Sequence, residues 1–289
     1  MTDVLWGLVR ALVFALLLQS AGAALFAIAF GRGLAHSASG IARLARNAAC
    51  LALVVLILQC LLELARMAGD WSGVTDPALL RVALGASTAR SIAVRAIALL
   101  CLVVAMAGTG AQPTGRVRTG LALAGVVLAA GSFTLSGHTS VSAYRWQLAP
   151  LLMAHVLVLA FWFGALWPLA QVMRAEELRT AAAVLARFSA AAVRLVPLIA
   201  LAGAVLAVLL LPDTAALLEP YGRLLLFKVA LFVLLMGLAA LNRLRLVPQI
   251  ERGKARALRT LRLSMTAEYL LISGAIAVTA VMTGFYSPA

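Results

Sequence analysis

The chain has 289 residues, of which 64% are hydrophobic and only 12% are charged. A soluble domain carries about a quarter charged residues, so this composition excludes an ordinary water-soluble protein. The formal net charge of +14 would suit a nucleic-acid-binding protein. Such proteins, however, cluster Lys and Arg on a solvated face, whereas here most of them lie in short segments between apolar runs. We therefore expect a membrane protein whose partner is the lipid bilayer and not a nucleic acid.

The hydrophobic residues fall into eight long runs, separated by segments in which Gly, Pro and polar residues mark turns. A helix needs about 20 apolar residues to cross the ~30 Å apolar core of a bilayer. The first run reaches Phe30 and is too long for the apolar part of a secretory signal, so we expect it to be retained. The predicted spans are 4–31, 47–68, 88–109, 117–136, 147–173, 188–211, 221–241 and 263–285. The fold class predicted is all-α, a polytopic transmembrane helix bundle that forms a single domain over residues 1–289.

Basic residues alternate between the connections that join these spans. The first, third, fifth and seventh connections hold Arg32, Arg43, Arg46, Arg116, Arg118, Arg174, Arg179, Arg187 and the basic stretch 243–262. The other connections are poorer in Lys and Arg and contain acidic residues such as Asp70 and Asp213. Because cytoplasmic loops carry the excess of Lys and Arg, we predict that the odd connections are cytoplasmic. In a bacterial inner membrane, both termini would then be periplasmic.

Several polar side chains lie inside the predicted spans. A charged side chain there costs at least about 2.5–3.5 kcal/mol, so it normally faces the bundle interior and marks function. On the second span, Gln59, Glu63 and Met67 repeat every four residues and share one helix face. The predicted polar network, which would form an ion pathway, contains Gln59, Glu63, Arg95, Tyr221, Lys228 and Glu268. The alternative is a packing role, in which Glu63 forms an ion pair with Arg66, Arg95 or Lys228.

The three histidines give a sharper signal, because two of them lie near the outer ends of neighbouring spans. His138 follows Ser136 and Gly137 at the end of the fourth span, and His155 lies within the fifth. Imidazole is a good ligand for copper, zinc, iron and nickel. We therefore predict one metal or haem site formed by His138 and His155 in the outer leaflet. Met67 and Met282 are the predicted thioether ligands of the same site.

Five segments of the second half of the chain are characteristic in their order and spacing. They are Ser136-Gly137-His138, His155 with Trp162–Leu169, Arg187-Phe188-Ser189, Tyr221–Lys228, and Asn242–Pro248 with the later Glu268. Over approximately residues 130–289, these segments resemble the CopD-like copper-resistance membrane proteins. The N-terminal half matches that family only in its span pattern. The resemblance implies an eight-helix inner-membrane protein that handles copper, and it adds Trp162 to the predicted pathway.

Members of this family are commonly proposed to move copper inward with a periplasmic, CopC-like copper-binding partner. The outer connections of this chain are too short to hold such a domain, so we expect the partner to be a separate protein. The resemblance therefore implies a copper ion as the bound metal and copper import as the function. We assign no catalytic residues and expect no enzymatic activity.

Two other classes of function stay open. In the first, His138 and His155 ligate haem b, and the protein is a single-haem cytochrome that carries electrons. In the second, the protein is a non-transporting scaffold or sensor. The oxidation state of copper is also open, because copper(II) prefers nitrogen and oxygen ligands, while copper(I) accepts thioethers such as Met67 or Met282.

Overall fold

The computed structural model describes residues 2–107, 115–137, 144–211 and 213–286, apart from the side chains of residues 2, 251 and 255. The α-helices are α1 (Thr2–Phe30), α2 (Ala38–Ala68), α3 (Pro77–Gly85), α4 (Ser87–Met106), α5 (Arg116–Gly131), α6 (Arg145–Ala175), α7 (Leu178–Leu210), α8 (Pro220–Leu241), α9 (Val247–Glu251) and α10 (Ala255–Phe285). Short 3-10 turns cover Trp71–Thr75, Ser132–Leu135 and Ala215–Leu218, and a π-helical turn covers Asn242–Leu246. Across these described ranges there is no β-strand.

Eight helical stretches within the described ranges are long and apolar enough to cross a membrane. They are Asp3–Phe30, Ala38–Ala68, Ser87–Met106, Arg116–Leu135, Arg145–Ala175, Leu178–Leu210, Pro220–Ile250 and Arg256–Phe285. The predicted all-α polytopic bundle of eight spans is therefore confirmed, and the protein is a multi-pass membrane protein. Because successive spans alternate in direction, α1 begins and α10 ends at one face of the bundle, which we call the terminal face. We call the opposite face, which carries the Arg-rich connections, the basic face.

The helices reach further than the apolar runs on the basic face. Helix α2 begins at Ala38 where the sequence predicted 47, and α7 begins at Leu178 where it predicted 188. Helix α8 continues through the π-helical turn into α9. The helices extend beyond the predicted spans because hydropathy measures the thickness of the bilayer, whereas a helix also includes polar helix-forming residues such as Arg43 and Arg46.

Glu176, which follows α6, holds the start of α2. Its Oε1 accepts hydrogen bonds from the backbone N–H groups of His36 (2.9 Å) and Ser37 (2.8 Å) and from the Ser37 hydroxyl (2.7 Å). Its Oε2 accepts from the backbone N–H of Ala35 at 3.3 Å. Burial alone would raise the pKa of Glu176, but these donors outweigh it and lower the pKa to about 2. A carboxylate at this position also complements the positive end of the α2 dipole.

Helix α1 lies at the centre of the N-terminal part of the bundle and packs against α2, α6 and α10. Its closest approach to α6 is at Gly22 and Gly164. A Cβ added to Gly22 would collide with the carbonyl oxygen of Ala160, and one added to Gly164 would collide with the backbone of Gly22. Small residues let the backbones of membrane helices approach in this way, so this pair of glycines sets the spacing of the two helices.

The C-terminal helices are packed more openly. Helix α7 packs against α6, and α8 packs against α10, but α7 and α8 make little contact with one another. Most of the membrane-spanning surface of α8 is exposed, with Leu226, Val229, Val233 and Leu234 among its exposed side chains. The gap between α7 and α8 leads into a cavity of about 380 Å³, which also borders α6 and α10.

Candidate functional site

A cluster of charged and aromatic side chains lies near the terminal face, centred on Trp6 of α1. The indole Nε1 of Trp6 donates a hydrogen bond to Oε2 of Glu63 at 2.5 Å. The guanidinium of Arg66 lies 4.2 Å from the centre of the Trp6 ring, and its Nε donates to Oδ1 of Asp3 at 2.7 Å. The guanidinium of Arg10 lies 4.9 Å from a Trp6 ring. The pairing partner of Glu63 is therefore an indole.

The predicted ion pair of Glu63 with Arg66, Arg95 or Lys228 is thus wrong in its partner. Within the described residues, the one ion pair is between Arg66 and Asp3. Arg66 pairs with Asp3 because the Asp3 carboxylate is more exposed, and an exposed carboxylate costs less to desolvate than a carboxylate inside the bundle. The buried Trp6 N–H needs an acceptor, and Glu63 supplies it.

Arg95 of α4 extends the same cluster toward the middle of the bundle. It is buried, its Nε donates to the Ser132 hydroxyl at 3.3 Å, and its guanidinium lies about 5 Å from the rings of Phe14 and Phe133. With Arg10 and Arg66, the cluster holds three cationic side chains. The carboxyl groups of Glu63 and Asp3 lie in the same cluster and offset part of this charge.

The remaining predicted residues of the second and eighth spans differ in burial. Gln59 is buried, whereas Met67 on the same predicted face is 41% exposed. Met282 of α10 is 4% exposed and lies in the bundle interior. The two predicted thioether ligands therefore lie in different environments, and Met282 is the one directed into the protein.

His155 is half-buried on α6 and faces α7. Its Nδ1 lies 3.3 Å from the carbonyl oxygen of Ile199, and its ring lies beside Gly203, where a Cβ would be 3.6 Å from Cε1. A carbonyl can only accept, so Nδ1 carries the proton and donates, which leaves the lone pair of Nε2 free. The charge of Lys228 on α8 acts on the same imidazole. His138, the other predicted ligand, lies outside the described residues.

A second polar site lies deeper, where Glu268 of α10 meets α6 and the π-helical turn after α8. Oε2 of Glu268 accepts a hydrogen bond from Nε1 of Trp162 at 3.2 Å, and Oε1 accepts from Nδ2 of Asn242 at 2.5 Å. All three side chains are buried. The Oδ1 of Asn242 is buried too and has no hydrogen-bond partner among the described residues. The predicted network therefore divides into separate sites, and Glu268 with Trp162 belongs to the deeper one.

The cavity between α7 and α8 opens beside this deeper site. Trp162, Asn242 and Glu268 line it together with Met236 of α8 and Met265 of α10. At its edge toward the basic face, Nη1 of the exposed Arg243 donates to the hydroxyl of Ser189 on α7 at 2.8 Å. The segments 162–169, 187–189 and 242–248, far apart in the chain, thus meet around one cavity.

Sequence reasoning singled out Glu268 and Trp162 but missed Asn242, Met236 and Met265. A signal for Met265 was present, since it precedes Glu268 by one helical turn and shares its face. Asn242 is a polar residue at the end of an apolar run, which also marks it. Among the described residues, no group of three His, Cys, Asp or Glu side chains is placed to hold a metal.

The comparisons with known proteins agree on one family. A family model described as Copper resistance protein D-like, N-terminal domain, matches residues 1–146, and one described as Copper resistance protein D matches residues 182–282. The N-terminal half, which we expected to match only in span pattern, therefore carries the likeness as well. No solved structure matches the chain.

A curated relative supports the same assignment. Copper resistance protein D of Pseudomonas syringae pv. tomato is 34% identical over 171 residues, covering 54% of this chain and 55% of the relative. The match thus spans about half the length of that relative. Because the N-terminal family model alone covers half of the present sequence, the chain belongs to the copper resistance protein D-like family.

Proposed function

We propose that this protein carries copper inward across a bacterial inner membrane, and that His155 and His138 bind the ion first. The family assignment supports a copper-related membrane protein. The observation that carries the proposal is the hydrogen bond from Nδ1 of His155 to the Ile199 carbonyl. Metal-ligating histidines commonly donate their other ring N–H to such a group, which fixes the tautomer and aims the free nitrogen at the metal.

The terminal face is the periplasmic one in this proposal, because the odd connections carry the basic residues. His138 directly follows Gly137, at the terminal-face end of the fourth span. His155 lies about 15 Å along α6 from the same face at ~1.5 Å per residue. In this proposal His138 and His155 receive copper from the periplasmic side, where a separate, CopC-like periplasmic protein would deliver it. Met282 and Met67 complete the proposed ligand set.

In this proposal a charge at Lys228 that reaches His155 would favour transport over storage. A nearby cation lowers the affinity of a site for copper. Conduction requires a site that binds strongly enough for entry and weakly enough for release. Below His155, the cavity beside Glu268 and Trp162 supplies space and polar groups for onward movement.

The haem alternative would use the same free Nε2 of His155, because iron also accepts an imidazole nitrogen. An optical spectrum of the purified protein separates the two proposals, because bound haem b gives a Soret band and copper does not.

Copper uptake by proteoliposomes tests the proposal. Purified wild-type protein should bind copper and move it into vesicles, and His155→Ala or His138→Ala should lose most of the uptake and the share of copper held by the histidines. His36→Ala is the matched control, because His36 is an exposed histidine outside the spans and should behave as wild type. Wild-type uptake by the His138/His155 double alanine variant, with no loss of bound copper, would overturn the histidine site.

A further inference from the structure

The cavity beside α8 brings two kinds of ligand group to one lined space. Its polar part is the Glu268 carboxylate with the Asn242 amide. Both oxygens of Glu268 already accept hydrogen bonds, from Trp162 and Asn242. Asn242 is only 7% exposed and lines the cavity, yet its Oδ1 has no partner among the described residues. Leaving a buried carbonyl oxygen without a partner costs about 1–3 kcal/mol of stability. A bound cation or a hydrogen-bond donor in the cavity would remove that cost.

The apolar part of the cavity wall contains two thioethers, Met236 on α8 and Met265 on α10. Met265 is one turn before Glu268, so the two side chains are neighbours on one face of α10. Met236 approaches from the helix that also carries Asn242 into the site. Methionine fills irregular space in many cores, but here both residues border a cavity instead of filling it.

All four of these side chains line the same space. Thioether sulfur is a soft ligand that suits copper(I), while carboxylate and amide oxygens contribute negative charge and polarity. The nearest cationic side chain on the cavity wall is Arg243, which is exposed and held to Ser189 at the edge. The centre of the cavity therefore suits a soft, monovalent cation.

We infer that this cavity is a second copper site, specific for copper(I), with Met236, Met265, Glu268 and Asn242 as its ligand groups. The inference rests on the proposed transport function and adds a second binding site along the transport pathway. Along α10, Glu268 lies about 25 Å from the terminal face, while His155 on α6 lies about 15 Å from it. The two sites are then about 10 Å apart in depth within the same group of helices. The ion enters the inner site as copper(I), so no electron transfer occurs there.

Anaerobic titration with copper(I) against a competing chelator tests the site directly. In a His138→Ala/His155→Ala background, the protein should still bind one copper(I), and silver(I) should compete for it. Replacing Met236 and Met265 with Leu should weaken that binding at least about tenfold, the loss that removal of even a supporting residue of a metal site produces. Leu conserves volume, so the variant keeps its fold.

Met106→Leu is the matched control, because Met106 is a buried methionine of α4 that does not line the cavity. X-ray absorption of the copper(I)-loaded protein should show sulfur ligands that disappear with Met236 and Met265 and persist in the Met106 variant. Asn242→Leu should also weaken binding, and it tests the oxygen that lacks a partner.

The two proposals fail separately. The inner site would be overturned if the His138→Ala/His155→Ala protein binds no copper(I), or if the variant with both Met236 and Met265 replaced keeps its affinity and its sulfur signal. Neither result would affect the proposed site at His155. If replacing the methionines weakens copper binding but replacing His138 and His155 does not, the inner site is supported and the histidine entry site is contradicted.

Discussion

The hydrogen bond between Trp6 and Glu63 joins α1 to α2 across 2.5 Å near the terminal face. The two residues satisfy each other, because the buried indole N–H needs an acceptor and the carboxylate needs a donor. Arg10 and Arg66 stand on either side of this pair, with Arg66 also bound to Asp3. The carboxylate thus serves two purposes: it accepts from the indole and offsets neighbouring positive charge.

Replacing Glu63 separates these purposes. Glu63→Gln keeps an acceptor for Trp6 but removes the negative charge, so it should lower the free energy of unfolding by about 1 kcal/mol, the difference between a charged and a neutral hydrogen bond. Glu63→Leu removes the charge and also leaves the indole without an acceptor, and it should cost about 3–5 kcal/mol, as for a broken buried pair. Thermal unfolding in detergent measures both variants, with the exposed Glu177→Gln as control. Equal melting temperatures for the Gln and Leu variants would contradict this assignment.

Lys228 should set the strength of copper binding at His155. Lys228→Met removes the cation that acts on the imidazole while keeping an unbranched side chain, so affinity should rise by about tenfold, equivalent to ~1.4 kcal/mol of repulsion. Release should slow in parallel, and vesicle uptake should fall despite tighter binding. Arg223→Met, which changes an exposed cation on the same helix, should alter neither. A weaker binding constant in Lys228→Met would show that the ammonium group helps to hold copper.

Glu176 should make stability depend on pH at the acid end. Its pKa in the folded protein is about 2, below the ordinary value of 4.5, so the folded state favours the carboxylate. The stabilisation is fully present above the ordinary value and is lost as the pH falls through it toward about 2. Glu176→Gln should therefore destabilise the protein at neutral pH by about 1 kcal/mol, as loss of a helix cap does.

The difference between wild type and Glu176→Gln should shrink below pH 4.5 and vanish near pH 2. Unfolding followed at several pH values in detergent gives this difference directly. Glu177→Gln is the control for a neighbouring, exposed carboxylate. If the difference in unfolding free energy between wild type and Glu176→Gln stays constant down to about pH 2, the four hydrogen bonds do not depend on ionisation of Glu176.

The proposed orientation predicts which positions a membrane-impermeant thiol reagent can reach. Single cysteines at Ser140 and Ala289 should react from the periplasmic side, and cysteines next to Arg118 and Lys254 should react only after permeabilisation. Cys50, Cys60 and Cys101 are free thiols and are replaced first. A cytoplasmic label at Ala289 would contradict the orientation.

The span count was readable from sequence because the bilayer imposes one length on every apolar run. The helix ends on the basic face were not, since Arg43, Arg46 and the residues that begin α7 are helical without being apolar. The cap of α2 by Glu176 was hidden as well, because its donors lie at residues 35–37, far from it in sequence.

For the candidate sites, the sequence identified residue types and depths but not partners. Depth placed Glu63 among three arginines, and only the rotation of α1 decides that Trp6 faces it. Glu268 and Trp162 were each singled out, yet their hydrogen bond depends on how α6 and α10 cross. The inner methionines were missed because Met236 and Met265 look like ordinary core residues until the gap between α7 and α8 is seen.

The contact between Gly22 and Gly164 also limits how this protein can move. Two backbones that touch without intervening side chains cannot slide past one another, so α1 and α6 form a fixed frame, reinforced where Glu176 ties α6 to α2. If the protein transports copper as proposed, movement must come from the helices outside this frame, and most of the surface of α8 is free of contact with other helices. Movement of α8 relative to α7, which are joined by the hydrogen bond from Arg243 to Ser189, would then open the cavity while α1 and α6 stay in place. A disulfide that staples α7 to α8 should therefore arrest transport and leave copper binding intact.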